Sequence, residues 1–369
     1  MKFHALNQVL SRGVNAVKNA VGSPISNPIV ENIHVSCKEG KIFFMATNLN
    51  LTIRCEGELE IEEPGEIILN SEEITKIVQD LPLSEVIIET EEENVKIKCG
   101  RFKAKIKGQS ADLFPPFIAL EEGSDLHIEN KKIKNIIRKT IFTTSAEKSR
   151  YELNGIKFHL KDKRLNCVST DGRRLAIYSI QNDAFPSEEK SIMIPEKTLE
   201  EVVRILPDEG MATIRFGERK TQFSSGDIQI ISNNLTDNFP NYDRIIPPEG
   251  NIKIKMNRSA FYSSIKRASN LSSKDTNMVI LTFEDGNLEI TAEREETGSE
   301  GHDQIEADYK GEKMQVRFNH NFIREFLQSL EDEEVELEMR DIRKPCIFRA
   351  VGENEYKYVL MPMRPPDEE

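Results

Sequence analysis

Tryptophan is missing from all 369 residues, and no run of about 18 apolar residues offers a helical membrane span. The N-terminal stretch MKFHALNQVLSRG has neither the apolar core nor the small-residue cleavage site of a signal peptide, so a cytoplasmic location without membrane attachment is expected. Cysteine is sparse. Cys37, Cys55, Cys99, Cys167 and Cys346 are odd in number, far apart and never in a CxxC pair, which argues against a disulfide framework or a zinc site and for reduced thiols on buried strands. The six histidines, His4, His34, His127, His159, His302 and His320, show no HxxxH or HExxH spacing, so metal ligation has no support. GxxxxGK[ST], GxGxxG and GxSxG are absent as well, which leaves nucleotide hydrolysis and acyl transfer without a motif; no cofactor and no catalysis are expected.

The chain does contain a repeat. GEIILNSEEITKIVQDLP (65–82), KSIMIPEKTLEEVVRILP (190–207) and GEKMQVRFNHNFIREFLQSL (311–330) each read as a short apolar strand, a polar cap and an amphipathic helix. Apolar residues recur at helical spacing in all three: Ile74/Ile77/Val78/Leu81, Leu199/Val202/Val203/Leu206 and Ile323/Phe326/Leu327/Leu330. Asn70 or Ser71, Pro195 and Asn319 stand where helix starts need them. GKIFFMATN, KRLNCVSTD and GNLEITAER follow turn signals at Glu39-Gly40, Lys161-Asp162 and Asp285-Gly286. An opening helix is expected in each third, over 4–20, 131–146 and 257–271, and Pro-rich joints (FPPFIALEEG, RIIPPEGN) separate the thirds. The fold class is therefore α+β, three tandem similar domains over 1–122, 123–249 and 250–369, each built of two strand–helix–strands halves. Simple accretion of domains would give such a triplication. Joining edge to edge into an arc, with two arcs closing into a ring, would also remove exposed strand edges.

Charge separates these readings. The formal net charge is −13, yet the three opening helices hold no Asp or Glu and carry ten Lys and Arg. Arg12 and Lys18 lie in the first; Lys131, Lys132, Lys134, Arg138 and Lys139 in the second, with Lys148 and Arg150 just beyond; Arg258, Lys266 and Arg267 in the third. The second helices add Lys76, Lys197, Arg204 and Arg324 among acids. A solvated helix face is the plain meaning of surface charge. Three corresponding helices stripped of acids point instead to a polyanion, duplex rather than single-stranded, since no aromatic stacking platform accompanies the cations. KIKCGRFKAKIKG (96–108) has six basic residues and no acid, while EREETGSEGHDQIEAD (293–308) has seven acids and one Arg. These stretches would dock head to tail between two copies, unless both are edge strands guarded by charge.

Four motifs carry a family resemblance: RYELNG (150–155), TDGRRLA (170–176), FPNYDRIIP (239–247) and YVLMPMR (358–364). In this order, and over the whole chain, the sequence resembles the bacterial sliding clamp, the beta subunit of DNA polymerase III. The resemblance implies a head-to-tail homodimeric ring, helices lining its hole and sheets forming its wall, closed around duplex DNA. It implies as partners the DNA polymerase III alpha subunit, a clamp-loader ATPase complex, and other polymerases and repair proteins that carry clamp-binding motifs. Family members hold those motifs in a groove between the second and third domains. The matching positions here are Leu153, Thr170, Gly172, Arg173, Arg174, Leu175, Pro240, Arg244 and Ile245, then Asn319, Phe322, Pro345, Val359, Met361, Met363 and Arg364. Core packing is the alternative for Met361 and Met363, and a hairpin tip the alternative for Asp171-Gly172. Arg173 stands where some relatives have His, and Pro345 occupies a variable groove position. PPDEE (365–369) follows the last motif. The expected closing faces are Lys103, Lys105 and Ile106 on one side and Leu271, Glu295, Glu296 and Glu300 on the other. Two other classes compete: a peptide-binding scaffold that never holds DNA, and a hydrolase whose site is assembled across domains.

Overall fold

The computed structural model describes residues 1–23, 28–147, 151–294 and 297–364. Among them are six α-helices: α1 (Asn7–Val17), α2 (Ser71–Asp80), α3 (Asn130–Ile141), α4 (Glu196–Ile205), α5 (Arg258–Ser269) and α6 (His320–Gln328). Every helix follows one short strand and precedes three, with an added strand, Glu60–Glu63, in the first third. The two halves expected per domain are thus present in all three thirds. Helices α2, α4 and α6 start at Ser71, Glu196 and His320, which are 125 and 124 residues apart, the offsets of the sequence repeat.

Local chemistry accounts for the boundaries. The Asn70, Asn257 and Asn319 side chains each accept a backbone N–H in the first turn of α2, α5 and α6, satisfying a donor the helix itself leaves unpaired. The opening helices are shorter than the acid-free stretches. Residues 4–6 belong instead to the strand Lys2–Leu6, which pairs antiparallel with Glu85–Glu91, so tertiary pairing overrides helix propensity there. The second hairpin turn sits one residue later than expected, with Asp162 (φ 51°) and Lys163 (φ 60°) both left-handed, the requirement of a two-residue hairpin loop.

Two compact units form. One comprises Met1–Lys134 with Lys197–Asn234 and contains a thirteen-stranded sheet. In it Leu51–Glu58 of the first third pairs antiparallel with Ile228–Asn233 of the second. The other comprises Asn135–Glu196 with the chain from Leu235 onward, and contains an eight-stranded and a four-stranded sheet. Here Arg174–Gln181 pairs with Tyr356–Leu360. The repeat is threefold but the compact units are two, because inter-repeat strand pairing welds half of the middle third to each neighbour.

The second unit's core under α6 is aromatic. Phe326 stacks on Tyr358 at 4.9 Å between ring centroids, and Phe318 and Phe348 meet edge to face at 5.8 Å. The buried Tyr358 hydroxyl donates to the Phe322 carbonyl at 3.1 Å, tying the last strand to α6. His320, at the start of α6, is 5% exposed and faces the Ser272 hydroxyl at 3.0 Å. Burial first, and the Arg324 charge second, lower its pKa to about 4. An unfolded chain therefore takes up this proton first, near pH 6.5, and the contribution to stability is complete above that pH and lost as pH falls through about 4. Urea unfolding at pH 7 and pH 4.5 is expected to show an extra acid loss of about 2–3 kcal/mol in the native chain that His320→Gln lacks. Equal acid losses in both proteins would remove this role.

Candidate functional site

The turn 170–174 joins two core strands, Arg164–Thr170 and Arg174–Gln181, and its polar atoms hold one another. Asp171 Oδ1 accepts the Arg173 and Arg174 N–H groups at 2.9 and 3.1 Å, and Thr170 Oγ1 accepts the Gly172 N–H at 3.0 Å. Thr170 Oγ1 donates in turn to the Arg174 carbonyl at 2.6 Å. Gly172 sits at φ +87°, a conformation that favours glycine. Asp171 thus shapes a turn.

Beside this turn lies an apolar floor. Val168, Leu175, Ile177, Tyr242, Ile347 and Val359 form one buried cluster, with Phe239, Ile245 and Ile246 packed on it. The cross-strand pair Leu175–Val359 joins the middle of the chain to its last strand in register. The chain then leaves the sheet: the Met361 N–H donates to the Arg173 carbonyl at 3.3 Å, and the Met363 N–H to the Arg317 carbonyl at 2.8 Å. Gly172, Arg173, Asn319, Phe322, Met361, Met363 and Arg364 line an open cleft of about 600 Å³, together with Asp275, Thr276, Asn277 and Pro362. Met361 is 44% exposed, which the core-packing alternative does not accommodate.

The structure therefore gathers residues about 190 positions apart into one site. Leu153 is buried, Pro240 and Arg244 are exposed on either side of buried Tyr242, and Pro345 is half-buried beside Cys346. Arg174 is buried rather than free for a ligand. Its guanidinium donates to Asp171 at 3.0 Å, Glu325 at 2.5 Å and the Phe142 carbonyl at 2.8 Å, and lies over the Phe322 ring at 4.2 Å. Arg174 positions the cleft wall and Arg173 is the exposed cation. Sequence reasoning did not assign Tyr242, Phe239, Ile347 or the 275–277 loop; the FPNYDRIIP motif contained the signal for the first two.

The expected DNA-facing cations divide. Arg12, Lys76, Arg138, Lys197, Lys266 and Arg267 are exposed, with Arg12 paired to Asp227 at 2.6 Å, Lys76 to Glu72 and Arg267 to Asp303 at 2.5 Å each. Lys18 donates to Asn15 at 2.8 Å. Arg204 folds over the end of α1, donating to the Asn15 and Ala16 carbonyls at 2.7 and 2.8 Å, a favourable cation at a helix C-terminus. Arg324 is half-buried. Lys134 and Lys139 correct the expectation. Lys134 is 5% exposed, donating to the Leu206 carbonyl at 3.0 Å and paired with Asp208. Lys139 is 8% exposed beneath the Tyr178 and Tyr356 rings at 5.8 and 5.3 Å, with Glu353 at 3.9 Å. Both occupy the buried side of an amphipathic helix, where long stems pack and heads find acceptors. Lys148, Arg150, Glu295, Glu296 and the PPDEE segment lie outside the described residues.

On the expected closing faces, Lys103 and Lys105 are exposed, Leu271 is half-buried, and Glu300 is exposed and pairs with His302 at 2.7 Å. Ile106 is corrected: at 7% exposure it points into the core opposite Val95, because strand alternation sends Lys103, Lys105 and Lys107 outward.

All five cysteines are buried and unbridged, and burial pushes the Cys37 and Cys55 thiols up to about 12, away from reactive thiolates. Among the described residues no cluster of His, Cys, Asp and Glu could hold a metal, and no helix is long and apolar enough to cross a membrane.

Family models for the DNA polymerase III beta subunit match along the chain: the N-terminal domain over residues 1–119, the central domain over 127–241 and the C-terminal domain over 243–364. Proteins described as beta sliding clamps are 27% identical to it, one from Pseudomonas putida (99% of this chain, 100% of that protein) and one from Staphylococcus epidermidis (99% of each). Among solved structures, a DNA polymerase sliding clamp from Bacillus subtilis is similar at a TM-score of 0.92 and 27% identity, covering 99% of each chain. A sliding clamp from Bartonella birtlesii bound to griselimycin is similar at a TM-score of 0.93 and 27% identity, covering 99% of this chain and 100% of that one. With its repeats, its motifs and these matches in agreement, the chain belongs to the DNA polymerase III beta-subunit family, the bacterial sliding clamps, which are non-catalytic factors of DNA replication.

Proposed function

We propose that the protein closes into a head-to-tail homodimeric ring around duplex DNA and tethers DNA polymerase III through the groove beside the 170–174 turn. Its clamp domains are 1–122, 123–249 and 250–369. The observation that carries this reading is the absence of any Asp or Glu from α1, α3 and α5 in a chain of net charge −13. Corresponding helices so depleted suit a surface turned toward phosphates, and a closed ring needs only loose, sequence-independent contacts with them. The groove suits linear motifs of the polymerase alpha subunit and of other polymerases and repair proteins: a buried apolar floor, adaptable methionines and an exposed Arg173 at the rim. With no nucleotide-hydrolysis motif of its own, the ring is opened by a separate clamp-loader ATPase.

Two free strand edges support closure. Phe102–Gln109 pairs on one side along its length but meets Gly65–Asn70 only at Gly108 and Gln109, leaving a basic edge. Ser299–Glu306 ends the four-stranded sheet and carries Glu300 and Glu306 outward. Opposite charges on unpaired edges favour pairing between copies. Changing Lys103 and Lys105 to Glu is expected to convert dimer to monomer in sedimentation at micromolar concentration while motif peptides still bind, since the groove lies within one chain. An unchanged dimer would remove this interface.

A further inference from the structure

We infer that the first clamp domain holds a second ligand site, a cleft of about 380 Å³ beside the 111–117 segment that takes a peptide carboxylate next to a large apolar side chain. Its centre is Arg54. The guanidinium is held between two rings, 4.3 Å from the Phe43 centroid and 5.0 Å from the Phe117 centroid. No hydrogen bond or ion pair to the Arg54 guanidinium occurs among the described residues, although its charge is felt at neighbouring Lys41. A planar fork clamped by aromatic faces, with its donors unused, is pre-organised for a bidentate acceptor. Lys38 lies 5.7 Å from the Phe43 ring and lines the same cleft. The one carboxylate there, Glu66, is engaged with His34 at 2.9 Å.

The rest of the lining is apolar. Met45 and Phe114 belong to a buried cluster on which Phe117 packs, and Pro115 and Pro116 complete the wall. Nearby on the same segment Leu113 and Ile118 are 79% and 68% exposed. A cationic fork over an apolar floor fits an acidic side chain beside a hydrophobic one better than a nucleic-acid backbone, which brings phosphates without apolar groups.

The same framework recurs in the next third of the chain. Met45 pairs across strands with Arg54 as Val168 pairs with Ile177, and LFPPF (113–117) packs on Met45 as NFPNY (238–242) packs on Val168 and Ile177. Arg54 thus stands where the groove has an aliphatic floor, which turns a hydrophobic seat into one for an acid. Choosing a peptide as the ligand rests on the reading of the groove as a peptide site; choosing a carboxylate rests on Arg54 alone.

Methionine-methyl NMR of the full chain tests this, because Met45 reports the cleft while Met361 and Met363 report the groove. The probes are acetyl-Glu-Leu-Phe-amide, its Gln counterpart and inorganic phosphate. The Glu peptide is expected to move the Met45 methyl saturably, with binding about tenfold or more weaker for the Gln peptide and for Arg54→Gln or Arg54→Lys. Glu66→Gln is expected to tighten it, and unchanged signals from the other methionines certify folding. A stationary Met45, a Gln peptide that binds equally well, or phosphate that binds as strongly as the peptide would each overturn the inference. Failure of the groove reading would instead appear as Met361 and Met363 signals unmoved by polymerase-derived motif peptides, independently of Met45.

Discussion

Replacing Arg174 and Met361 together by alanine is expected to weaken polymerase-derived motif peptides by roughly 30- to 1,000-fold, beyond detection for a micromolar ligand. The two residues act differently. Arg174 braces the wall from behind: without it the Glu325 carboxylate, Asp171 Oδ2 and the Phe142 carbonyl lose their donor, and Phe322 loses the plane stacked on it at 4.2 Å. Leaving a buried acceptor such as the Phe142 carbonyl unpaired costs about 1–3 kcal/mol, while the partly exposed Glu325 carboxylate can turn to water, so the wall is expected to shift. Met361 meets the ligand directly. At 44% exposure its truncation removes contact area from the cleft and little from the core. The single variants are therefore expected to separate, with Arg174→Ala lowering both thermal stability and affinity and Met361→Ala lowering affinity alone. Calorimetry with a motif peptide, alongside sedimentation to certify the dimer, checks this. Wild-type affinity in a folded dimer would make the 170–174 turn a hairpin tip and nothing more.

The architecture was legible in the sequence because its signals are local and repeated. Apolar residues at helical spacing in Ile74–Val78, Leu199–Val202 and Ile323–Leu327 fixed the second helices, and Asn70 and Asn319 marked their starts. What stayed hidden depends on long-range pairing. Nothing within residues 4–6 foretells that they join Glu85–Glu91 as a strand, and nothing in the repeat foretells that strand pairing gathers three repeats into two compact units. Lys134 and Lys139 read as surface charge because sequence shows a charge but not its acceptor; Leu206 and Glu353 supply those acceptors from far along the chain. The groove was legible through family motifs only. Leu175 and Val359 are 184 residues apart, and no periodicity would pair them.

The central claim is that the protein holds DNA by enclosure. A conventional binder making several phosphate contacts loses roughly 10³-fold or more in affinity between about 50 and about 200 mM salt. If α1, α3 and α5, which contain no Asp or Glu and carry the exposed Arg12, Arg138 and Lys266, line a closed ring, it should be indifferent to that step on a substrate without ends. The decisive measurement is retention, after loading by the clamp loader, on nicked circular DNA through the salt step, followed by cutting the circle once. The protein is expected to stay on the circle at high salt and to leave when the DNA is made linear. Equal, salt-sensitive loss from circular and linear DNA would contradict it.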